Sequence, residues 1–570
     1  MSDSSPSPTL LRRLRARAQN TPDARLFIYL RDGEHEESLT AAALDLRARA
    51  LGAALQKSIA PGDRVVVAFP TGLDFITAYF GALYAGAVPV PAESPATAGT
   101  DTNGSLVKIV EDCQPVVLAS DAAGLEVWER DYTQVARFSE IALLDPAEVD
   151  DDDAEEWKEP AMAEDDLAAV LYSCYSGPAR GLPMTHAQLA FFADVTKSAF
   201  GLGEKLVFMG FLHLHFDFGF QTQVVLPLYY EDGQSVFMSP GTFAEPTRWF
   251  RTVSRYHANA SGANIDAVMR CGKRLEAAEL RGLDLSSWKA AVITNAYFHR
   301  TELDDFARLL APAGFAPAAL RPIYATAEAT SIVTARAPGT ELTVLTVDRR
   351  ELQAGRVVPA AATHADVSTL VSQGVPVRDT VVKIVEPETG EVLADDEIGE
   401  IWVRGPGVVG RYWTDEAESV RCFQARLAPD DGHAYLRTGD FGFLHQAQLY
   451  VLEHWMRHTF IGPRTVTDEQ IESVSRDSHP SLLERPAAAF FLNYQRKHRG
   501  YVVQEAPAGL PPETLGELAR RIQERLKFEF QYEPEKIFLV RPGFIQVDAA
   551  GRPARYRCRR QFMERCLKDS

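Results

Sequence analysis

Between Pro61 and Pro91 the chain reads strand, helix, strand, and this unit restricts the possible fold more than any other stretch. Pro61-Gly62-Asp63 turns into Val65-Val66-Val67-Ala68-Phe69, an unbroken apolar run. A run without alternation suits a strand covered on both faces. Residues 73–85 are apolar nearly all round, the mark of a buried helix. Gly86 stops that helix and Ala87-Val88-Pro89-Val90 returns as a second strand. Two parallel strands joined by a helix form a right-handed crossover by default. Further runs at 115–118, 168–172, 207–212, 235–238 and 290–294, with helical stretches between them, extend the pattern. The expectation is an α/β protein built on doubly wound sheets.

The pattern then changes. Residues 150–166 carry a four-Asp run and little apolar content, so a solvated connector is expected there. After Val381 short strands and turns predominate, as in Pro387-Glu388-Thr389-Gly390, which points to a β-rich subdomain. Beyond Ile461-Gly462-Pro463 a small α+β domain is expected, with Leu515, Leu518, Ala519, Ile522 and Leu526 on one helical face. A chain of 570 residues exceeds one hydrophobic core, consistent with two or more domains. The first twenty residues are rich in Ser and Arg, the composition of a presequence. Leu10, Leu11, Leu14 and Ala18 also form one stripe, with Arg12, Arg13 and Arg15 largely outside it, and Asn20-Thr21-Pro22-Asp23 closes the segment as a turn, so a surface helix is favoured.

Net charge excludes some partners. At -19 the chain lacks the basic balance that nucleic acids and anionic membranes attract. No apolar run reaches the ~18 residues a span needs. Six cysteines lie scattered without metal or disulfide spacing, which suits the reducing cytosol and predicts a cytoplasmic protein.

Three stretches resemble adenylate-forming enzymes. Gly62-Asp63-Arg64 through Val88-Pro89-Val90-Pro91 is similar to their opening sheet. Leu436-Arg437-Thr438-Gly439-Asp440 with Gly442-Phe443 resembles their ribose-binding turn. Arg321-Pro322-Ile323-Tyr324-Ala325-Thr326-Ala327-Glu328-Ala329-Thr330 resembles the aromatic-plus-acid motif in its fatty acyl-AMP ligase form. Residues 347–374 resemble the insertion that separates that branch from acyl-CoA ligases. The resemblance implies a large domain over residues 1–457 and a small mobile one over 458–570. It implies ATP and Mg²⁺ as cofactors and a fatty acid or related acyl group as substrate, in lipid metabolism or polyketide biosynthesis. The carboxylate would attack the α-phosphate, and the acyl group would pass to the phosphopantetheine thiol of an acyl carrier protein.

Residue by residue, the resemblance places a phosphate loop at 173–181, with Ser173, Ser176 and Gly177 cradling phosphate and Arg180 standing where the family has Lys. Backbone N–H groups and hydroxyls do the work in such a loop, and here Pro178 supplies no N–H. Tyr324 is the expected adenine-stacking ring, beside Thr326; Tyr297 is a second candidate for stacking. Glu328 is the expected Mg²⁺ contact, a hard oxygen ligand. Asp440 would accept hydrogen bonds from ribose, His454 stands in place of a ribose-facing Arg, and Arg552 in place of the C-terminal catalytic Lys. Phe211, His215, Asp217 and Gly219 fall where the family borders its acyl pocket. His213 and His215 have metal-ligand spacing, but a third ligand is not apparent, so packing is the favoured role.

Two functions remain open at this point. One is a ligase that adenylates a carboxylic acid for a carrier protein. The other is a degenerate relative that keeps the fold and binds acyl groups or partner proteins without adenylation, as the changes at Tyr175, Pro178, Tyr297 and His454 would suggest, whereas the charge kept at Arg180 and Arg552 favours the ligase.

Overall fold

The computed structural model describes residues 9–97, 105–133, 136–173, 180–241, 245–264, 277–294, 300–353, 356–361, 363, 366–453, 458–461, 464–494, 497–545, 553 and 558. The chain parts into two compact units. One comprises residues 1–174, 179–346 and 368–454; the other comprises 175–178, 347–367 and 455–570.

In the larger unit the strand–helix–strand reading from the sequence is realised. Strands Arg64–Ala68 and Val88–Ala92 pair in parallel, linked by helix Leu73–Tyr84, whose residues from Phe75 onward are all buried. Val117–Ala119 and Ala142–Leu144 extend this into a four-stranded parallel sheet. A second sheet has nine strands. Its six parallel strands run in the order Leu320–Thr326, Ala290–Thr294, Ala260–Asn264, Lys205–Gly210, Asp232–Met238, Arg25–Arg31. Antiparallel strands close both edges. Continuous apolar runs become central strands because both faces are covered: Ile28 and Val236 lie in one core cluster, Phe27 and Phe237 in another. The expected β-rich subdomain is a four-stranded antiparallel sheet of Val381–Val385, Gly399–Arg404, Leu436–His445 and Gln448–Glu453.

The first helix, Leu10–Asn20, is part of this core. Leu10, Leu11 and Leu14 are buried, and the Leu10 N–H donates to Nδ1 of the buried His186. Arg13 departs from its expected outward position: its guanidinium lies 3.7 Å from the centre of the Tyr229 ring. The acidic connector is also more fixed than its charge suggests. Asp151–Glu156 forms a 3₁₀ turn, Arg47 pairs with Asp151, and the Trp157 ring packs at a tilt against Tyr84 while donating to its carbonyl at 2.7 Å.

The second unit contains an antiparallel pair, Ala487–Tyr494 with Lys497–Glu505, joined in parallel by Lys536–Val540. Helix Pro512–Phe530 presents Leu518, Ile522 and Leu526 to a core shared with Ile471, Ala489 and Val502. That is the amphipathic stripe read from the sequence. Among the described residues no helix is long and apolar enough to cross a membrane.

Candidate functional site

Strand Leu320–Thr326 ends in a 3₁₀ turn, Ala327–Ala329, and this change of backbone sets the acidic side chain Glu328 just beyond the sheet. Thr330 closes the turn at φ +56°, a left-handed conformation costly for a β-branched residue. Such strain persists where surrounding contacts impose it, and here the Glu328 carbonyl accepts from the Val409 N–H at 2.9 Å. Both carboxylate oxygens are held. Thr326 Oγ1 donates to Oε2 at 2.5 Å, and the Tyr412 hydroxyl donates to Oε1 at 3.2 Å.

Two motifs 116 residues apart meet here: the Tyr324 hydroxyl donates to Asp440 Oδ2. Both side chains are buried. Burial, followed by the neighbouring Asp440 carboxylate, pushes the Tyr324 phenol well above its ordinary value. Asp440 sits in strand Leu436–His445, its own N–H donating to Thr438 Oγ1 at 3.1 Å. Tyr324, Thr326, Glu328 and Asp440 therefore form one polar cluster.

Asp217 adds a third carboxyl beside those of Glu328 and Asp440. It opens the short helix Asp217–Phe220 and lies within electrostatic range of Glu328. Burial, with Glu328 adding to it against local backbone N–H donors, pushes the Asp217 carboxyl up to about 6. His215 is driven the other way, down to about 3, by burial and then by the neighbouring His213. The two imidazoles lie 5.0 Å apart, and His215 meets the Phe216 ring at 4.4 Å. Among the described residues no group of three or more His, Cys, Asp or Glu side chains could hold a metal. Gly219 is fixed by packing, since a Cβ there would lie 2.1 Å from the His213 carbonyl oxygen. Phe211 belongs to the hydrophobic core, edge-on to Trp249 at 5.1 Å.

The phosphate-loop candidates divide. Strands Leu167–Ser173 and Arg180–Thr185 form an antiparallel hairpin in which Ser173 faces Arg180, so residues 174–179 connect its two strands. Ser176 and Gly177 lie outside the described residues, as do Tyr297, His454 and Arg552. Arg180 is placed, and its partners are acidic. Nε meets Asp415 Oδ2 at 3.2 Å and Nη2 meets Glu418 Oε1 at 3.6 Å, while the guanidinium lies over the Tyr412 ring at 5.3 Å.

Tyr412 and Asp415 are the residues that sequence reasoning missed. Their signal in the sequence was weak: an aromatic pair, Tyr412-Trp413, separated by Thr414 from the helix-capping Asp415.

Comparison with known proteins gives consistent results. A profile described as AMP-binding enzyme matches residues 14–413. The chain is 30% identical to the medium-chain-fatty-acid–[acyl-carrier-protein] ligase JamA of Moorena producens, over 98% of this chain and 96% of that protein. It is 28% identical to the long-chain-fatty-acid–AMP ligase FadD32 of Mycolicibacterium smegmatis, over 94% and 91%. Among solved structures, the fatty acyl-adenylate ligase from L. pneumophila, in complex with acyl adenylate and pyrophosphate, superposes with a TM-score of 0.73 at 28% identity, covering 99% and 96% of the two chains.

Proposed function

This chain belongs to the AMP-binding enzyme family, in its fatty acyl-AMP ligase branch, and from that premise we propose that it activates a fatty acid as its acyl-adenylate for an acyl carrier protein. In the first half-reaction a carboxylate oxygen of the fatty acid attacks the α-phosphorus of ATP, and the bond to pyrophosphate breaks. In the second, the carrier's phosphopantetheine thiol attacks the acyl carbon, a thioester forms and AMP leaves. The observation that carries this reading is the convergence of Tyr324, Thr326, Glu328 and Asp440 in one cluster, within a full-length likeness to an acyl-adenylate ligase.

The donor set fits ATP and Mg²⁺. Glu328 offers a carboxylate whose orientation is fixed by two hydroxyl donors, a hard oxygen site of the kind magnesium takes. Bound there, Mg²⁺ supplies neutralisation of phosphate charge. Asp440 is the acceptor for ribose hydroxyls and Tyr324 the surface for adenine. Ser173, Ser176 and Gly177 cradle phosphate, His454 faces the ribose, Tyr297 flanks the base, and Arg552 brings positive charge to the α-phosphate. Asp217, His215, Gly219 and Phe211 border the acyl end, where burial raises the Asp217 carboxyl to about 6 and keeps the imidazoles neutral, surroundings that disfavour added charge. Residues 1–457 act as the adenylating domain and 458–570 as the mobile one. We place the protein in the cytosol, whose reducing conditions suit the buried Cys113, Cys422 and Cys558, none of them in a disulfide.

One observation favours the second reading, in which the chain binds acyl groups or partners without adenylation. Arg180, the expected phosphate cation, is paired with Asp415 and Glu418. Incubation with ATP, Mg²⁺, fatty acids of graded length and a holo carrier protein decides between the two. The ligase reading expects acyl-adenylate by mass spectrometry and acyl transfer to the carrier. Acyl binding without either product is the outcome for the degenerate form.

A further inference from the structure

Residues 408–415 run as a strap between the hairpin and the Glu328 turn. Gln188 Nε2 donates to the Val408 carbonyl at 3.0 Å, the Val409 N–H donates to the Glu328 carbonyl, and the Trp413 N–H donates to the Gly181 carbonyl at 2.7 Å. Within it, Thr414 donates to Asp112, which also accepts from the Tyr172 hydroxyl at 2.6 Å. The strap thus ties both strands of the hairpin to the acidic turn.

Tyr412 lies at its centre and is buried. Its N–H donates to Ser419 Oγ at 2.9 Å, and its ring packs edge-on against Phe423 at 5.0 Å, with the Arg180 guanidinium over its face. Held by these contacts, its hydroxyl reaches Glu328 Oε1 while Thr326 holds Oε2. Two donors on opposite oxygens fix the plane of a carboxylate. Groups that orient a metal ligand in this way raise the affinity of the site although they never touch the metal.

Arg180 explains how the tyrosine is held. Asp415 caps helix Glu416–Phe423 by accepting from the Glu418 N–H at 3.0 Å, and Arg180 bridges that cap to Glu418. A planar guanidinium can span two carboxylates and cover an aromatic face; an ammonium, a point charge, cannot do all three. A phosphate arriving at Arg180 would also face the negative charge of Asp415, Glu418 being paired as well with Arg421.

We propose that Tyr412 is a positioning residue for the Glu328 carboxylate, and that Arg180 braces Tyr412 and its helix instead of holding phosphate. The inference rests on Glu328 being the magnesium contact of the proposed ligase. Calorimetric titration of ATP into the full chain, repeated over a Mg²⁺ series, tests it. Tyr412→Phe removes one hydroxyl, and the Mg²⁺ concentration for half-maximal binding is expected to rise about tenfold, ~1.4 kcal/mol, with ATP affinity at saturating Mg²⁺ unchanged. Asp415→Asn keeps a capping side chain and removes the brace charge. It is expected to shift Mg²⁺ dependence in the same direction as Arg180→Met, and the double variant is expected to be no worse than the stronger single one. An unchanged Mg²⁺ dependence in Tyr412→Phe overturns the role of Tyr412. Arg180→Met that weakens ATP at saturating Mg²⁺, while Asp415→Asn does not, overturns the brace. If the unmodified chain binds no ATP in a Mg²⁺-dependent way, the ligase reading falls and this inference with it, an outcome distinct from the other two.

Discussion

At the scale of single residues, the site is a balance between burial and charge, and Asp217 shows it most directly. Its carboxyl is raised to about 6, against an ordinary value near 3.9, chiefly by burial. A raised carboxyl binds its proton more tightly in the folded chain. It therefore costs nothing below about pH 4 and destabilises progressively as pH rises to about 6, after which the cost is constant. His215, lowered to about 3 against an ordinary value near 6.5, costs stability as pH falls below about 6.5, so the two slopes oppose each other in the wild type. Comparing denaturation of Asp217→Asn with wild type across pH 4–8 isolates the first. The variant is expected to gain on wild type between pH 4 and 6, by on the order of 2 kcal/mol, and to stay level above. A constant difference over the whole range would show that Asp217 is not the buried group described. Much of this scale was legible beforehand. Tyr324, Thr326 and Glu328 fall within five residues, and Asp440 has its own local motif, so each could be placed from short stretches. Arg180 could be located but its role could not, because Asp415 and Glu418 lie more than 230 residues away in sequence. Tyr412 was missed for the same reason: nothing local ties it to Glu328.

At the scale of elements, central strands such as Arg64–Ala68 and Ala290–Thr294 were found because they are apolar on both faces, a pattern that survives without tertiary knowledge, whereas Leu436–His445 was reached only through its ribose-turn motif. Leu320–Thr326 was recognised through its motif instead, since Arg321 interrupts its apolar run; that guanidinium is buried and donates to the carbonyls of Ala318 and Leu320. The turn after Lys205–Gly210 was harder. There the short helix Asp217–Phe220 passes into a π-helical segment, Gln221–Val225, whose polar side chains Gln221, Thr222 and Gln223 are all buried. A helical register of that kind is rare and frequent at functional sites, and buried glutamines read from sequence as surface. Gly219 is what lets this segment pack on the preceding loop. Gly219→Ala places a methyl against the His213 carbonyl and is expected to destabilise by roughly 1–3 kcal/mol, the range for overpacking. Chemical denaturation gives the value, and an unchanged midpoint would mean that the close approach is not maintained in solution.

At the scale of the whole molecule, the division into two units follows from length and from the change of pattern near residue 460. Residues 347–367 group with the second unit, an assignment that strand and helix periodicity could not provide. If the smaller domain moves during turnover, limited proteolysis is expected to cut between residues 440 and 480, with a rate that changes when ATP and fatty acid are added. Complete resistance of that interval under every ligand condition would contradict a mobile connection. The central claim is that this chain makes acyl-adenylates, and fatty-acid-dependent exchange of labelled pyrophosphate into ATP tests it most directly, with Glu328→Ala as the control. The account predicts exchange in the unmodified chain that requires both fatty acid and Mg²⁺ and falls by roughly 10²–10³ in the variant, the usual loss when one preorganised charge contact is removed. Absence of exchange with every medium- and long-chain acid, or full exchange in Glu328→Ala, would contradict it.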